Sequence, residues 1–365
     1  MKKILLISNR IMHYRVSVYN FLWSEFRKNK WEFSVLADRL QSSNQNPLKF
    51  PLTLIPFKFQ KYRREICRIR PDAVILFLHL KDFIIWPLLH WLKLRRIPVA
   101  FWTKTRNLDD PDNKLRNSLF NYVHHLSDAL ILYTDNLLGF VHERERCKVF
   151  VANNTINFHD FPEIVETKDE IKRQLGIPFQ KVVLFAGRIG EEKNRKKVDH
   201  LIEIFQDLPR NDIGLVIVGS GLSEELKSRM NPKNAVYLGE VHDPENMHIS
   251  RIFKMSDICS IPGHVGLGLN QALFFGLPVV TEEGKQPPEI CYLQHGRNGF
   301  IVPQDDVAAL RDRILYLADN DGVRAEFSTH AKDDILRHAS IEGMFEGFLR
   351  CAEYLNSQRL GSNSR

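Results

Sequence analysis

Short apolar runs alternate with helix-length segments along this chain, and the alternation runs through twice. The first series includes KILLIS, FSVLA, AVILFL, VAFWT, ALILYT and KVFVA, and the second includes VVLFAGR, IGLVIVGSG, AVYLGEV and DICSI. Such short apolar runs, separated by helices, indicate βα units and a parallel sheet covered on both faces. We therefore predict an α/β fold of two Rossmann-like, doubly wound domains facing a cleft, with ligands at the carboxyl ends of the strands.

The length of 365 residues also favours two domains, because a single hydrophobic core rarely grows to that size. We predict a first domain over residues 1–160 and a second over 181–340. A polar, proline-containing stretch at 161–180 is predicted to link them, and a last helix within 341–365 can cross back to the first domain.

Composition narrows the class of protein. A hydrophobic content of 44% with 26% charged residues predicts a folded globular chain. The net charge of +7 suits anionic ligands or an anionic membrane surface and does not indicate nucleic acid. Five cysteines without a CxxC pair predict reduced thiols in the cytoplasm and no zinc site. MKKILLISNRI is interpreted as a first strand, and the longest apolar segment, Phe83 to Leu92, is too short to span a bilayer.

The stretch IPGHVGLGLNQALFFGLPVV, from Ile261 to Val280, has the pattern strand, glycine loop, helix, strand. Glycines at the start of a helix let backbone N–H groups approach an anion, and the helix dipole adds positive charge there. A phosphate is the expected ligand. The alternative is a buried crossover whose glycines only permit tight packing.

Two further strand ends carry residues suited to phosphate. FAGRIGEEKNRKK places Arg188 and one or more of Lys193, Arg195, Lys196 and Lys197 after a strand, where cations could neutralise a diphosphate leaving group. VGSGLSEELK is another strand, glycine loop and helix. A solvated basic helix start and a tight βα turn are the respective alternatives.

Together these stretches resemble the donor-binding domain of glycosyltransferase family four, whose members have the GT-B fold. The landmarks GRIGEEK, VIVGSGLSEELK, VYLGEV, the PGHVGLGLNQAL stretch, PPEI and GRNGFIVPQDD come in the family's order, and the PGxVGL version resembles a subgroup of bacterial polysaccharide-assembly transferases. The resemblance implies retaining, metal-independent enzymes that use a nucleotide-diphosphate sugar, here a UDP- or GDP-sugar, without a cofactor.

The resemblance also implies roles for individual residues. The family's diphosphate-gripping arginine and lysine carry over to Arg188 and Lys193, although Lys196 fits the lysine equally well. The histidine of the first domain would fall on Lys104, which completes the catalytic candidates. Donor-binding candidates are Gly187, Lys196, Gly219, Gly221, His264, Val265, Gly266, Leu267, Gln271 and Glu289.

The chain departs from the family where two glutamates are usual. They would fall on Gly263 and Gln271, so neither carboxylate is present. Gln271 can still form hydrogen bonds with ribose hydroxyls. Lys104 cannot imitate a neutral imidazole, but it can hydrogen-bond the donor sugar or its phosphate; an exposed basic loop residue is the alternative.

Other residues near strand ends of the first domain are candidates for binding the acceptor or the phosphates. These are Arg10, Tyr14, Arg15 and His79, each of which could equally be an ordinary structural residue. KFQKYRREICRIR carries six basic residues against one acid, with apolar residues interleaved, a pattern typical of a helix on an anionic membrane. The solvated face of an ordinary helix is the alternative there.

We therefore expect a glycosyltransferase that moves a sugar to a carbohydrate acceptor, a lipid-linked polysaccharide or lipopolysaccharide, with retention. No carboxylate in these motifs is an obvious nucleophile, so departure assisted by Arg188 and Lys193, with attack on the same face, is preferred to a covalent intermediate. The expected partners are a nucleotide sugar, a glycan and the inner face of the cytoplasmic membrane. The alternatives are a sugar-nucleotide epimerase and an inactive GT-B-like binding protein.

Overall fold

Two parallel sheets covered by helices make up the fold in this computed structural model, which describes residues 1–41, 46–108, 110–190, 195–241, 243 and 245–363. The chain divides into two compact units. The first unit is Met1–Asn157 with Ala339–Arg365, and the second is Phe158–His338.

The sheet of the first unit has seven strands, and one of its interior strands is buried at four successive residues, Ile4 to Ile7. Burial of successive side chains is expected when helices cover both faces of a parallel sheet. The strands are β1 (Lys2–Ile11), β2 (Trp31–Leu40), β3 (Leu52–Leu54), β4 (Ala73–Phe77), β5 (Val99–Thr103), β6 (Ala129–Leu132) and β7 (Val149–Val151). Their order is β3-β2-β1-β4-β5-β6-β7.

The sheet of the second unit has six strands, again all parallel. They are β8 (Lys181–Ala186), β9 (Ile213–Val218), β10 (Ala235–Gly239), β11 (Ile258–Ser260), β12 (Val279–Glu282) and β13 (Gly299–Val302). Their spatial order is β10-β9-β8-β11-β12-β13. From β8 the chain adds strands on one side of the sheet and then, from β11, on the other side. Ligands bind at such a switch point between β8 and β11 in open parallel sheets.

The described residues form twelve α-helices. They are α1 (His13–Lys28), α2 (Phe59–Ile69), α3 (Ile85–Leu94), α4 (Lys114–Leu126), α5 (Lys168–Leu175), α6 (Val198–Gln206), α7 (Glu224–Arg229), α8 (Met247–Met255), α9 (Leu267–Phe274), α10 (Val307–Asp319), α11 (Asp321–His338) and α12 (Ile341–Asn363). The predicted α/β class, with two doubly wound parallel sheets, is confirmed.

The segment expected to link the domains contains α5 and belongs to the second unit. The sequence dictates this helix locally. Thr167 and Glu170 form a capping box at its start, and Gly176 ends it in the left-handed conformation. Ile171 is fully buried, so the helix is tied to the core of the second unit.

Helix α12 packs on the sheet of the first unit, although it follows the whole second unit in sequence. Phe348 meets Trp102 edge to face, with ring centroids 4.9 Å apart. A Cβ atom on Gly347 would lie 2.2 Å from the carbonyl oxygen of Val151, so glycine allows the helix to approach β7 closely.

Candidate active site

In the second unit, the loops that follow β8 and β9 pack directly backbone against backbone. A Cβ atom on Gly219 would lie 1.9 Å from the carbonyl oxygen of Gly187, and a Cβ atom on Gly221 would lie 2.0 Å from that of Ile189. Both glycines also have positive φ, +142° and +91°. The amide of Ile189 donates to the carbonyl of Ser220 at 2.8 Å. Only glycine can occupy positions 219 and 221 in this arrangement.

The loop after β11 joins the same cluster through Gly263. Its amide donates to the carbonyl of Lys196 at 3.0 Å, and the amide of His264 donates to the carbonyl of Arg195 at 2.7 Å. A Cβ atom on Gly263 would lie 2.1 Å from the Arg195 carbonyl oxygen. The close backbone contact leaves no room for a side chain at the position where a glutamate is usual in the family.

Lys196 extends beneath this loop. Its ammonium donates to the carbonyl oxygens of His264 at 2.9 Å and Val265 at 3.2 Å, and its stem lies against Gly187. Burial lowers the pKa of Lys196 to about 8. The side chain therefore fixes the loop from below and places a positive charge behind it.

Gln286 braces the loop from the other side, and sequence reasoning did not identify it. Its amide nitrogen donates to the carbonyl oxygens of Gly263 at 3.0 Å and Glu282 at 2.9 Å. Its amide oxygen accepts from the amide of Val265 at 3.1 Å. The only signal in the sequence is a polar residue preceding the two prolines of PPEI, which does not reveal these partners.

The braced loop leads into the N-terminus of α9. Gly266 has φ 58° and ψ −156° and precedes the first helical residue, Leu267. Within the described part of the chain, the amides of Gly266 and Leu267 donate to no acceptor. Unsatisfied N–H groups at the positive end of a helix dipole form a binding site for an anion. We call these two amides, with the loop from Gly263 that holds them, the phosphate cradle.

The remaining donor-side candidates differ in exposure. Arg188 is exposed after β8 and forms no hydrogen bond or ion pair with the residues that the structure describes. Gln271 is partly buried on α9, and Glu289 is 4% exposed in the 3-10 helix Pro288–Tyr292. Lys193 lies outside the described residues.

The family of the second unit follows from comparison with known proteins. Residues 180–320 match the model of the family "Glycosyl transferases group 1", and this range contains the phosphate cradle. Over this range the chain resembles a glycosyl transferases group 1 domain. This domain includes every candidate donor-binding residue proposed from the sequence.

Curated relatives of the chain include enzymes of glycan assembly. The poly(ribitol-phosphate) alpha-N-acetylglucosaminyltransferase of Staphylococcus aureus is 22% identical over 252 residues, which cover 67% of this chain and 48% of that enzyme. The phosphatidyl-myo-inositol mannosyltransferase of Mycobacterium leprae is 29% identical over 163 residues, covering 43% of this chain and 42% of that enzyme. The chain thus spans less than half the length of these relatives.

Solved structures resemble the chain over nearly its full length. Sucrose-phosphate synthase from Thermosynechococcus elongatus has a TM-score of 0.72 at 14% identity, covering 98% of this chain and all of that one. Anabaena HepE in complex with UDP has a TM-score of 0.74 at 13% identity, covering 96% and 99%. WaaG, a glycosyltransferase involved in lipopolysaccharide biosynthesis, has a TM-score of 0.64 at 14% identity, covering 90% and 94%. The fold is that of GT-B glycosyltransferases.

A second charged cluster of the second unit forms around Lys197, the residue that follows Lys196. The ammonium of Lys197 lies 2.6 Å from a carboxylate oxygen of buried Glu282 and 2.6 Å from one of Asp305. His200 Nδ1 is also 2.6 Å from Glu282. Burial tends to lower the pKa of Lys197, but the two carboxylates outweigh it and raise that pKa.

Three members of this cluster could also ligate a metal ion. Single ligand atoms of His200, Glu282 and Asp305 lie within 4.8 Å of one another, which is a grouping that the sequence did not predict. The ammonium of Lys197 already contacts both carboxylates and neutralises one of their two negative charges.

In the first unit, the candidates at the end of β1 and the start of α1 fall in different environments, and Arg10 lies within β1, one residue before its end. Arg10 is exposed and Tyr14 is partly buried. Arg15 is only 3% exposed; its guanidinium lies 4.8 Å from the ring centroid of Trp102 and donates to the Asn154 side chain at 2.7 Å. Arg15 therefore contributes to the core of the first unit, and its guanidinium is not a surface group.

The ends of β4 and β5 carry the other first-unit candidates. His79 is exposed, and its backbone amide donates to Asp82, which also accepts from the side chain of Asn9 at 3.0 Å. Partial desolvation lowers the pKa of His79, and nearby lysines add to this effect while Asp82 opposes it. Lys104 is exposed, with its ammonium 5.4 Å from the ring centroid of Tyr133. The sequence did not indicate Asp82 as a candidate.

Helix α2 presents its basic side chains to solvent and its apolar side chains to the protein. Tyr62 and Ile66 are fully buried in the first unit, so these apolar residues are not available to lipid. Lys61, Arg63, Arg64 and Arg68 are exposed. Over the residues that the structure describes, no helix has the length and hydrophobicity needed to cross a bilayer.

Proposed function

We propose that this protein is a glycosyltransferase that moves a sugar from a nucleoside-diphosphate sugar to a carbohydrate acceptor. The phosphate cradle is the observation on which the proposal rests. Its two amides at the start of α9 are unsatisfied within the described chain, and both Lys196 and Gln286 hold the loop that presents them. Two curated relatives are glycosyltransferases by name, and one structural neighbour is a complex with UDP, which supports a nucleotide-sugar donor.

Arg188 supplies the charge that assists departure of the nucleoside diphosphate. The arginine is exposed after β8, and its loop is bonded to the loop after β9. Negative charge develops on the β-phosphate as the glycosidic bond breaks, so a positioned cation stabilises the transition state more than the ground state. The cradle amides donate hydrogen bonds to the same phosphate. Because the loop already holds them in position, they need no reorganisation during the reaction.

We further propose that the sugar is transferred with retention and without a metal ion. Position 263 has no room for a carboxylate and position 271 carries an amide, so neither can act as a nucleophile. Attack on the face from which the diphosphate departs accounts for retention without a covalent intermediate. Charge on the diphosphate is balanced by Arg188, Lys196 and, by resemblance, Lys193.

For the acceptor, we propose a lipid-linked glycan at an anionic membrane surface on the cytoplasmic side. The exposed basic face of α2 supports this proposal, because clustered lysine and arginine side chains attract anionic lipid. Relatives named for poly(ribitol-phosphate) and phosphatidyl-myo-inositol substrates, and the neighbour WaaG, support an envelope glycan.

The direct test is release of nucleoside diphosphate from a panel of UDP- and GDP-sugars, with a lipid-linked oligosaccharide pool as acceptor. We expect one base and one sugar to be preferred, and we expect the rate to be unchanged by a chelator. A strict requirement for a divalent metal would contradict the mechanism. Saturable donor binding without any turnover would instead support a GT-B-like binding protein, which the absence of a carboxylate at position 263 also favours.

A further inference from the structure

A cavity of about 730 Å³ lies in the second unit at the end of α9 opposite the phosphate cradle. The last residues of the helix and the turn after it, Phe274 to Leu277, form part of its wall. Its volume falls in the range of small-molecule sites, roughly 300 to 1,000 Å³. Because α9 separates it from the cradle, this cavity is distinct from the proposed donor site.

Aromatic rings form the floor of the cavity. Phe161 lies 5.7 Å from Phe274 and 5.5 Å from Phe275 between ring centroids. Leu277, which is buried, and Leu336, which is 48% exposed, also line the cavity. A floor of this kind favours an apolar ligand body.

Most charges at the rim are already paired. Lys168 lies 2.9 Å from Asp257, and Arg324 is paired with Asp321, which also meets Lys181 outside the cavity. These pairs are neutral overall, so they give the rim no preference for the sign of a ligand.

Three charged groups remain after these pairs. Lys254 donates to the carbonyl oxygen of Ile164, which carries no charge, and Glu163 is exposed. Lys332 on α11 is exposed and forms no hydrogen bond or ion pair with the described residues. The balance is one net positive charge at the rim.

The position of Lys332 is fixed by the turn at Gly276. A Cβ atom on Gly276 would lie 2.8 Å from Ser328 Oγ and 3.3 Å from Lys332 Cε. The missing side chain therefore lets α11 lie against the end of α9. As a result, a hydroxyl and an ammonium stand next to the aromatic floor.

We propose that this cavity binds an amphipathic anion, that is, an apolar chain or ring that ends in a carboxylate or a phosphate. The apolar body lies on Phe161, Phe274 and Phe275, and the anionic group meets Lys332 and Ser328. A hydrogen bond between two charged groups is stronger than one between neutral groups, so the anion binds better than a neutral ligand of the same length.

Calorimetric titration of the full chain with decanoate, decyl phosphate and decanol tests this proposal. We expect saturable binding of an anion at one site per chain, about tenfold tighter than that of decanol. The tighter of the two anions identifies the source as a fatty acid or a phosphorylated lipid. Equal affinity for decanol and both anions would overturn the proposal.

Variants place the ligand in the cavity. Lys332→Ala should remove the preference for the anion, whereas Arg337→Ala, an exposed arginine on the same helix outside the cavity, should keep it. Ser328→Trp should fill the cavity and abolish binding, with unchanged melting temperature as evidence of folding. Because a bulky change can disturb packing, Leu336→Asp at the exposed rim provides a second test. Unchanged anion binding in both Lys332→Ala and Leu336→Asp would contradict the site.

Discussion

The two units end their strands in different ways, although both sheets are parallel and doubly wound. In the second unit, the loops after β8, β9 and β11 contact one another through backbone atoms, and Gly219, Gly221 and Gly263 have no room for a side chain. In the first unit, the strand ends present side chains such as His79 and Lys104 to solvent. The comparison teaches that the proposed phosphate site depends on main-chain geometry, whereas the proposed acceptor side depends on side-chain identity.

The backbone packing of the second unit explains why one of the two family glutamates is absent at Gly263. Where loops pack through their backbones, a residue can be replaced only if the new side chain fits. At Gly263 and His264 the loop is held by hydrogen bonds from their amides to the carbonyl oxygens of Lys196 and Arg195. The carboxylate was therefore not simply lost from an otherwise equal site. It is incompatible with the way the loops pack in this chain.

The largest effect is expected from restoring that carboxylate. Gly263→Glu puts a Cβ atom 2.1 Å from the Arg195 carbonyl oxygen, so the loop must move. We expect the variant to lose about 1–3 kcal/mol of stability and about a hundredfold in affinity for nucleoside diphosphate. Gly322→Glu is the matched control, because a Cβ atom there meets nothing within 4 Å. Calorimetry and thermal melting measure both effects; donor binding at the wild-type level in Gly263→Glu would refute the packing argument.

Arg188→Ala tests the one exposed cation that we place on the leaving group. Removing it should lower the transfer rate by about a hundredfold, equivalent to about 3 kcal/mol, while the melting temperature stays unchanged because the side chain is exposed. Arg337→Ala, another exposed arginine of the second unit, should transfer at the wild-type rate. A folded Arg188→Ala protein with normal turnover would remove this arginine from the mechanism.

The pH dependence tests the buried lysine behind the cradle. Burial lowers the pKa of Lys196 to about 8 from 10.5, so its positive charge is lost in the folded protein above about pH 8. Affinity for nucleoside diphosphate should fall by about tenfold as the pH rises through that value. The unfolded chain keeps the proton up to about pH 10.5, so the contribution of this group to stability rises with pH over the same interval.

Lys196→Met separates this titration from others in the same range. The variant should bind nucleoside diphosphate more weakly than the wild type at pH 7 and show no fall in affinity between pH 7 and 9. If the variant and the wild type lose affinity in parallel as the pH rises, another group is responsible for the titration.

The smallest effect on donor binding is expected from changes in the first unit, where the proposed membrane recognition depends on exposed charge. Changing Lys61, Arg63, Arg64 and Arg68 to Glu should abolish co-sedimentation with anionic vesicles at low salt and leave donor binding unaffected. Each basic side chain near anionic lipid contributes on the order of 1 kcal/mol before screening, so wild-type binding should weaken steeply with salt. Wild-type protein that ignores anionic vesicles at low salt would favour a soluble acceptor.

The fold could be predicted from the sequence because most strands are built on a short apolar run and the glycine loops stand at strand ends. The glycine loop that leads into α9 was predictable for the same reason. The proposed binding of phosphate there uses backbone amides, which every residue except proline carries. Gln286 and the pairing of Lys197 with Glu282 were not predictable. Those contacts join residues far apart in sequence, and no local pattern specifies which polar side chains will meet.

Exposure was equally hard to predict from the sequence. Arg15 at a helix start looks like any other surface arginine, and only the packing of Trp102 around it shows that it is buried. Likewise, the basic pattern around Tyr62 suits a membrane helix, but the burial of Tyr62 and Ile66 shows that the apolar face of α2 is covered by the protein. Side-chain environment depends on tertiary packing, which periodicity alone does not determine.

A single backbone amide provides the most direct test of a site made from the main chain. Leu267 is the first residue of α9, where proline is well tolerated in a helix, so Leu267→Pro removes one N–H group without changing charge. Leu267→Ala keeps the amide and is the control. Calorimetric titration with UDP and GDP should show about tenfold weaker binding of the preferred nucleotide to Leu267→Pro than to Leu267→Ala, at similar melting temperatures. Equal affinity of the two folded variants would contradict the claim that the α9 amides bind the diphosphate.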